Sequence, residues 1–132
     1  MDDLHESSGP LRYSASEGKY WLVVDVDPGI VEVARALVPK TVRLNRTRYA
    51  PHITVIRNEV PPDLTAWKAH EGEMVTFQYD SFVYNDELYY WLNAYCQRLN
   101  DVRTELGLHP VSEWTRPPDM ADCFHITIGN LK

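Results

Sequence analysis

The tripeptide His-Ile-Thr occurs twice in this chain, as His52-Ile53-Thr54 and as His125-Ile126-Thr127. With five His and eight Thr among 132 residues, the number of His-x-Thr matches expected by chance is well below one. Both copies stand in apolar, strand-like surroundings, Pro51 to Ile56 and Phe124 to Ile128. Side chains two apart on a strand leave the same face, so each copy would present an imidazole beside a hydroxyl. Two imidazoles on one phosphodiester can act as general base and general acid. One takes the proton of an attacking hydroxyl and the other protonates the leaving oxygen. Histidine suits both roles because an ordinary imidazole titrates near neutral pH. The two hydroxyls can donate to the non-bridging phosphate oxygens, where charge builds up in the transition state. That chemistry needs no metal. The acidic residues are scattered, without the carboxylate clusters on which metal-dependent phosphodiesterases rely.

The elements that must carry these residues repeat as well. Tyr20-Trp21-Leu22 returns as Tyr90-Trp91-Leu92, and each copy precedes a helical pattern, a loop and a His-Ile-Thr strand. In the first half the pattern predicts a strand over Lys19 to Asp25. A helix follows with Asp27 as N-cap and Pro28 in its first turn, a position where the missing amide costs nothing. Ile30, Val33, Ala34 and Leu37 lie at helical spacing, and Pro39 ends the run. In the second half a strand is expected over Leu88 to Ala94. The helix after it carries Leu99, Val102 and Leu106 on one face and stops at Gly107. The chain thus reads as one domain over 1–132 with two related halves, roughly 19–60 and 73–132. A pseudo-twofold arrangement would bring both His-Ile-Thr strands to one cleft.

Composition is that of an ordinary globular domain, with 44% hydrophobic and 24% charged residues. No apolar run is long enough to span a bilayer, and the polar stretch Met1 to Ser8 reads as a frayed terminus rather than a signal peptide. Cys96 and Cys123 share no metal-ligand spacing and belong to no disulfide framework, so a reducing, cytoplasmic compartment is expected. The net charge of −6 argues against a protein that grips long nucleic acid. Yet Lys40, Arg43, Arg46, Arg48 and Arg57 fall in a stretch without Asp or Glu that runs into the first motif. That stretch carries +5, which leaves −11 on the rest. A local cationic collar on an acidic body fits a small phosphorylated ligand and would repel a polyanion.

With these residues in view, the chain resembles the two-histidine (2H) phosphoesterase superfamily. The paired His52-x-Thr54 and His125-x-Thr127, each in a hydrophobic strand, carry the resemblance, which covers nearly all of the chain after residue 18. The one departure is Pro51, which precedes the first motif where the family has an apolar residue. The resemblance implies an α+β, bilobal fold, with antiparallel sheets from two pseudo-symmetric halves lining a central cleft and helices outside. It implies a catalytic set of His52, Thr54, His125 and Thr127 acting on nucleotide or RNA-end phosphodiesters, with no cofactor and no metal. Within the superfamily the chain looks most like the small phage anti-CBASS enzymes that degrade cyclic di- and trinucleotide signals, which would place it in the host cytoplasm. The features behind this are its size, the segment Pro10-Leu11-Arg12-Tyr13, and the stretch from Val38 to Val55.

Substrate selectivity would then come from aromatics that stack on bases. The candidates are Tyr13 in the N-terminal segment, Trp67 after the first motif, and Trp114 in the loop before the second. Arg43, Arg46 and Arg48 would form the phosphate collar. Three functions are open at this point: cleavage of 3′-5′ linkages in cyclic oligonucleotides, opening of 2′,3′-cyclic phosphates on RNA ends or small nucleotides, and non-catalytic sequestration of nucleotides. The residues do not say which histidine is base and which acid, nor what the oligomeric state is.

Overall fold

The computed structural model describes residues 4–111 and 123–132. β1 (His5–Ser16) and β2 (Lys19–Asp25) form a hairpin. Its two turn residues, Glu17 and Gly18, both have positive φ (52° and 76°), as the tightest hairpins require. α1 (Pro28–Ala36) follows, then β3 (His52–Arg57), β4 (Met74–Tyr79), β5 (Tyr84–Asn85), β6 (Tyr89–Tyr95), α2 (Gln97–Glu105) and β7 (Phe124–Asn130). All strand pairings are antiparallel, in the order β4-β1-β2-β3-β7-β6-β5, and β4 also pairs with β6. The pairing therefore runs in a closed ring of six strands, with β5 as a short addition.

β1 serves two partners. Residues His5 to Pro10 pair with β4, and Leu11 to Ser16 pair with β2. The changeover follows directly on Gly9-Pro10, and a Cβ on Gly9 would overlap the carbonyl oxygen of Asp25. Only glycine permits that approach. The stretch expected to be a frayed terminus is thus strand from His5 onward. Its alternating small and polar residues gave no strand signal; the partner strand β4 does the ordering.

The α+β class and the antiparallel pairing agree with the sequence reading. The strands join in one sheet, where two sheets lining a cleft were expected, because β3 and β7 pair directly and fuse the two halves. One face of that sheet is the core. Leu22, Val24, Ile53, Ile126, Leu92 and Phe124 are all at most 2% exposed. Leu99 and Val102 of α2 and its C-cap Leu106 join them as the helical spacing predicted.

α1 begins as read, with Asp27 accepting from the Gly29 amide at 2.9 Å and Pro28 at the first helical position. Its buried face differs. Val31 and Ala34 are buried, whereas Val33 and Leu37 are 68% and 61% exposed. The helix is rotated so that Arg35 faces the sheet, where its guanidinium donates to the Ile128 carbonyl of β7 (2.8 Å) and to that of Leu44 in the segment after α1 (2.8 Å). Ile30, Val33 and Leu37 instead line a cavity of about 370 Å³ with Tyr79 and Leu92.

Candidate active site

Ile53 of β3 lies opposite Ile126 of β7. In an antiparallel pair this register sets residue 52 opposite 127 and residue 54 opposite 125, with opposed side chains on a common face. Both isoleucines are fully buried, so the flanking residues point away from the core. His52, Thr54, His125 and Thr127 are accordingly all partly exposed. They form a square in which each imidazole faces the other motif's hydroxyl. The two histidines lie on a diagonal, with backbones roughly 7–8 Å apart by ordinary sheet dimensions.

Each motif ends in a bulge. Across β2 and β3 the register passes from Leu22 opposite Ile56 to Val23 opposite Thr54, which leaves Val55 unopposed. Across β6 and β7 it passes from Tyr90 opposite Gly129 to Trp91 opposite Thr127, which leaves Ile128 unopposed. In both cases the residue after the threonine is the extra one. Bulges re-aim neighbouring side chains and leave ladder groups without their usual partners. An arginine from the other half of the chain is bonded to each. Arg35 of α1 donates to the Ile128 carbonyl at 2.8 Å, and Arg103 of α2 donates to the Val55 carbonyl at 2.8 Å. Arg103 is fully buried and also forms a paired contact with Glu59 at 2.9 Å. The two motifs are thus clamped reciprocally. Sequence reasoning missed both arginines, since a charged residue in the last turn of a helix normally reads as solvated.

The register extends the square on both sides. His125 lies opposite Asn93 of β6, and Thr127 lies opposite Trp91. Trp91 donates from Nε1 to Asn93 Oδ1 at 3.1 Å, which fixes the amide's orientation. Beyond them Asp80 donates its amide to the Asn93 carbonyl, and its side chain accepts from Tyr84 (3.1 Å) and Tyr95 (3.4 Å) on Oδ2. Asp80 is 8% exposed, and among the described residues its buried Oδ1 has no partner. Burial holds its carboxyl above the usual carboxylate range, against the hydrogen bonds that lower it. On the other side, Asp25 of β2 lies opposite His52 and is held by Arg12, whose Nη2 donates to Oδ1 at 2.9 Å.

His52 has a defined tautomer. Its Nδ1 lies 2.8 Å from the Ala50 carbonyl oxygen. A carbonyl only accepts, so Nδ1 carries the proton and the neutral ring keeps its lone pair on Nε2. Nε2 can then act as a base.

Tyr13 and Trp67 stand on the opposite face of the sheet from the square. Tyr13 is 4% exposed and opposes Leu22, on the core side of the sheet. Trp67 packs edge-on against Tyr13 and Tyr20, with ring centroids 4.9 and 5.0 Å away. Tyr13 cannot present its face to a base, because Pro10-Leu11-Arg12-Tyr13 is strand rather than a loose arm; with Trp67 it forms part of the packing. The arginine collar is also divided. Arg46 is committed to Glu32 by two contacts of 2.6 and 2.9 Å. Arg48 sits 5.7 Å above the Tyr49 ring, and Arg43 is exposed. Trp114 lies outside the described residues.

Compared with protein-family models, curated protein sequences and solved structures, the chain matches none of them.

Proposed function

We propose that this chain is a metal-independent phosphodiesterase that uses its two His-x-Thr motifs on small cyclic oligonucleotides, cleaving their 3′-5′ linkages. The observation that carries the reading is the register of Ile53 opposite Ile126, which sets two imidazoles and two hydroxyls in one square. His52, with Nε2 unprotonated, takes the proton of a ribose 2′-hydroxyl as its oxygen attacks phosphorus. His125 gives a proton to the departing 5′-oxygen as the P–O5′ bond breaks. Thr54 and Thr127 donate to the non-bridging oxygens. The product is a linear nucleotide ending in a 2′,3′-cyclic phosphate, and exchange of the two protons resets the pair. The net charge of −6 favours a compact ligand over a long strand. Removal of cyclic-nucleotide alarm signals, as in phage evasion of CBASS-type immunity, is the biological role consistent with such a substrate.

The test is turnover of a panel of cyclic di- and trinucleotides and of cyclic-phosphate-ended RNA in excess chelator. Cleavage of the cyclic oligonucleotides without added metal is expected. Activity lost in chelator and restored by a divalent ion would remove the two-histidine mechanism. Preference for RNA ends would move the reading to RNA repair or processing, and binding without cleavage would make the chain a sequestering module.

A further inference from the structure

We infer that Trp21, Arg57 and Arg12 form a nucleotide subsite beside the His-x-Thr square, which receives the base and phosphate next to the one being cleaved. The inference rests on the phosphodiesterase reading above and adds the substrate's second nucleotide to it. Trp21 lies opposite Arg57 across β2 and β3, and opposite Ser14 across β1 and β2. Because Val55 is the extra residue of the β3 bulge, Val55 and Ile56 both turn inward and are fully buried. Arg57 therefore emerges on the same face as Thr54. Trp21 shares that face through Val23, which opposes Thr54.

The properties of these side chains fit a nucleotide. Trp21 is half-buried and is not among the apolar side chains packed on the core. Among the described residues no aromatic ring contacts it. Arg57 is exposed and makes no ion pair among the described residues. Arg12 opposes Val23, two residues from Trp21 on β2, and its side chain is 55% exposed although Asp25 holds one edge of the guanidinium. An indole with cations on two sides is a stacking surface with phosphate donors at its rim. Arg57 lies three residues beyond Thr54, about 7–10 Å along the strand. A nucleotide joined to the scissile phosphate spans that separation. By contrast Trp91, the sequence counterpart of Trp21, is buried beneath Tyr84 and offers no face.

The experiment is equilibrium binding of a cyclic dinucleotide to the His52→Ala protein, which keeps the subsite but not the base. Trp21→Leu and Arg57→Ala are added singly, with Trp21→Phe as the conservative variant and circular dichroism as the check on folding. Trp21→Leu and Arg57→Ala should each weaken binding by about tenfold, and Trp21→Phe should restore most of the loss. In the protein with His52 intact, the same changes should raise KM for the cyclic dinucleotide and leave kcat near its starting value. Arg57→Ala should leave KM for a dinucleoside monophosphate, which has no second phosphate, unchanged. Affinity indifferent to Arg57→Ala in a folded protein overturns the subsite, as does failure of the His52→Ala protein to bind the cyclic dinucleotide. Binding that responds as expected in a protein without turnover would overturn the catalytic reading and keep the subsite.

Discussion

At the residue scale, the proposed chemistry depends on two imidazoles whose surroundings differ. His52 is oriented by its own strand's approach, through the Ala50 carbonyl, while His125 stands beside the Asn93 amide in the next strand. Replacing either by Ala should lower turnover by on the order of 10²–10⁴-fold, the usual contribution of a positioned acid or base. Steady-state kinetics on folded variants decide this, and activity near the unmodified level in either would refute the acid and base roles. The wild-type pH profile should be a bell. Asp80 leads to a second residue-scale expectation. Its carboxyl is raised by burial, so the stability it contributes is complete below the ordinary carboxylate range and is lost as pH rises through its folded value. Asp80→Asn removes that loss and leaves an acceptor for Tyr84. The variant should melt above wild type at neutral pH, with the gap closing as the pH falls below about 4. A gap independent of pH would contradict the buried charge. The His-x-Thr residues were legible in the sequence because type and spacing identify them. Asp80 was not, since nothing in Tyr79-Asp80-Ser81 tells a buried carboxylate from a turn residue.

At the element scale, the bulges and their arginines decide where the threonines point. Strand β2, the start of α1 and the end of α2 were readable from alternation, capping and the placement of proline and glycine. The bulges were not, because a bulge belongs to a pair of strands and neither strand carries it alone. A trace did exist: Val55-Ile56 and Ile128-Gly129 each break alternation directly after a motif threonine. Tyr13 was misread for a related reason, since Pro and Ser nearby suggest a loop until β4 and β2 pair with the segment. The two clamps make separable predictions. Arg103→Met strands the Glu59 carboxylate and the Val55 carbonyl, and should cost about 3–5 kcal/mol of stability in a denaturant titration. Arg35 is less buried, and Arg35→Met should leave the fold standing while Thr127 loses its fixed aim. A fall in kcat on the order of ten- to a hundredfold is expected there, with an unchanged melting temperature within a few degrees. Full activity in that variant would show that the Ile128 carbonyl needs no clamp.

At the scale of the whole molecule, charge sets which ligands approach. The stretch from Lys40 to Arg57 is the only long acid-free run with such a cationic content, and Glu32 neutralises part of it by pairing with Arg46. A compact anion gains from the local cations that remain, Arg57 among them. A long strand must lie across a body carrying −11 outside that stretch. Affinity should therefore stay flat as an oligonucleotide is lengthened beyond a few residues, with a shallow salt dependence. Affinity measured against length at two salt concentrations checks this. A rising series with a steep salt slope would favour RNA ends as the substrate.

The order of strands along the chain has a further consequence, for the moment at which activity arises. β7 follows every other strand in sequence yet sits between β3 and β6 in the ring. Until it inserts, β3 and β6 each present a bare hydrogen-bonding edge, and half of the histidine-threonine square is missing. Fragments that stop short of β7 should consequently be both inert and prone to associate through those edges. The same long-range pairing makes the last strand the natural limit on how quickly a refolding chain regains function. On the proposed reading, catalytic competence and closure of the ring are a single event.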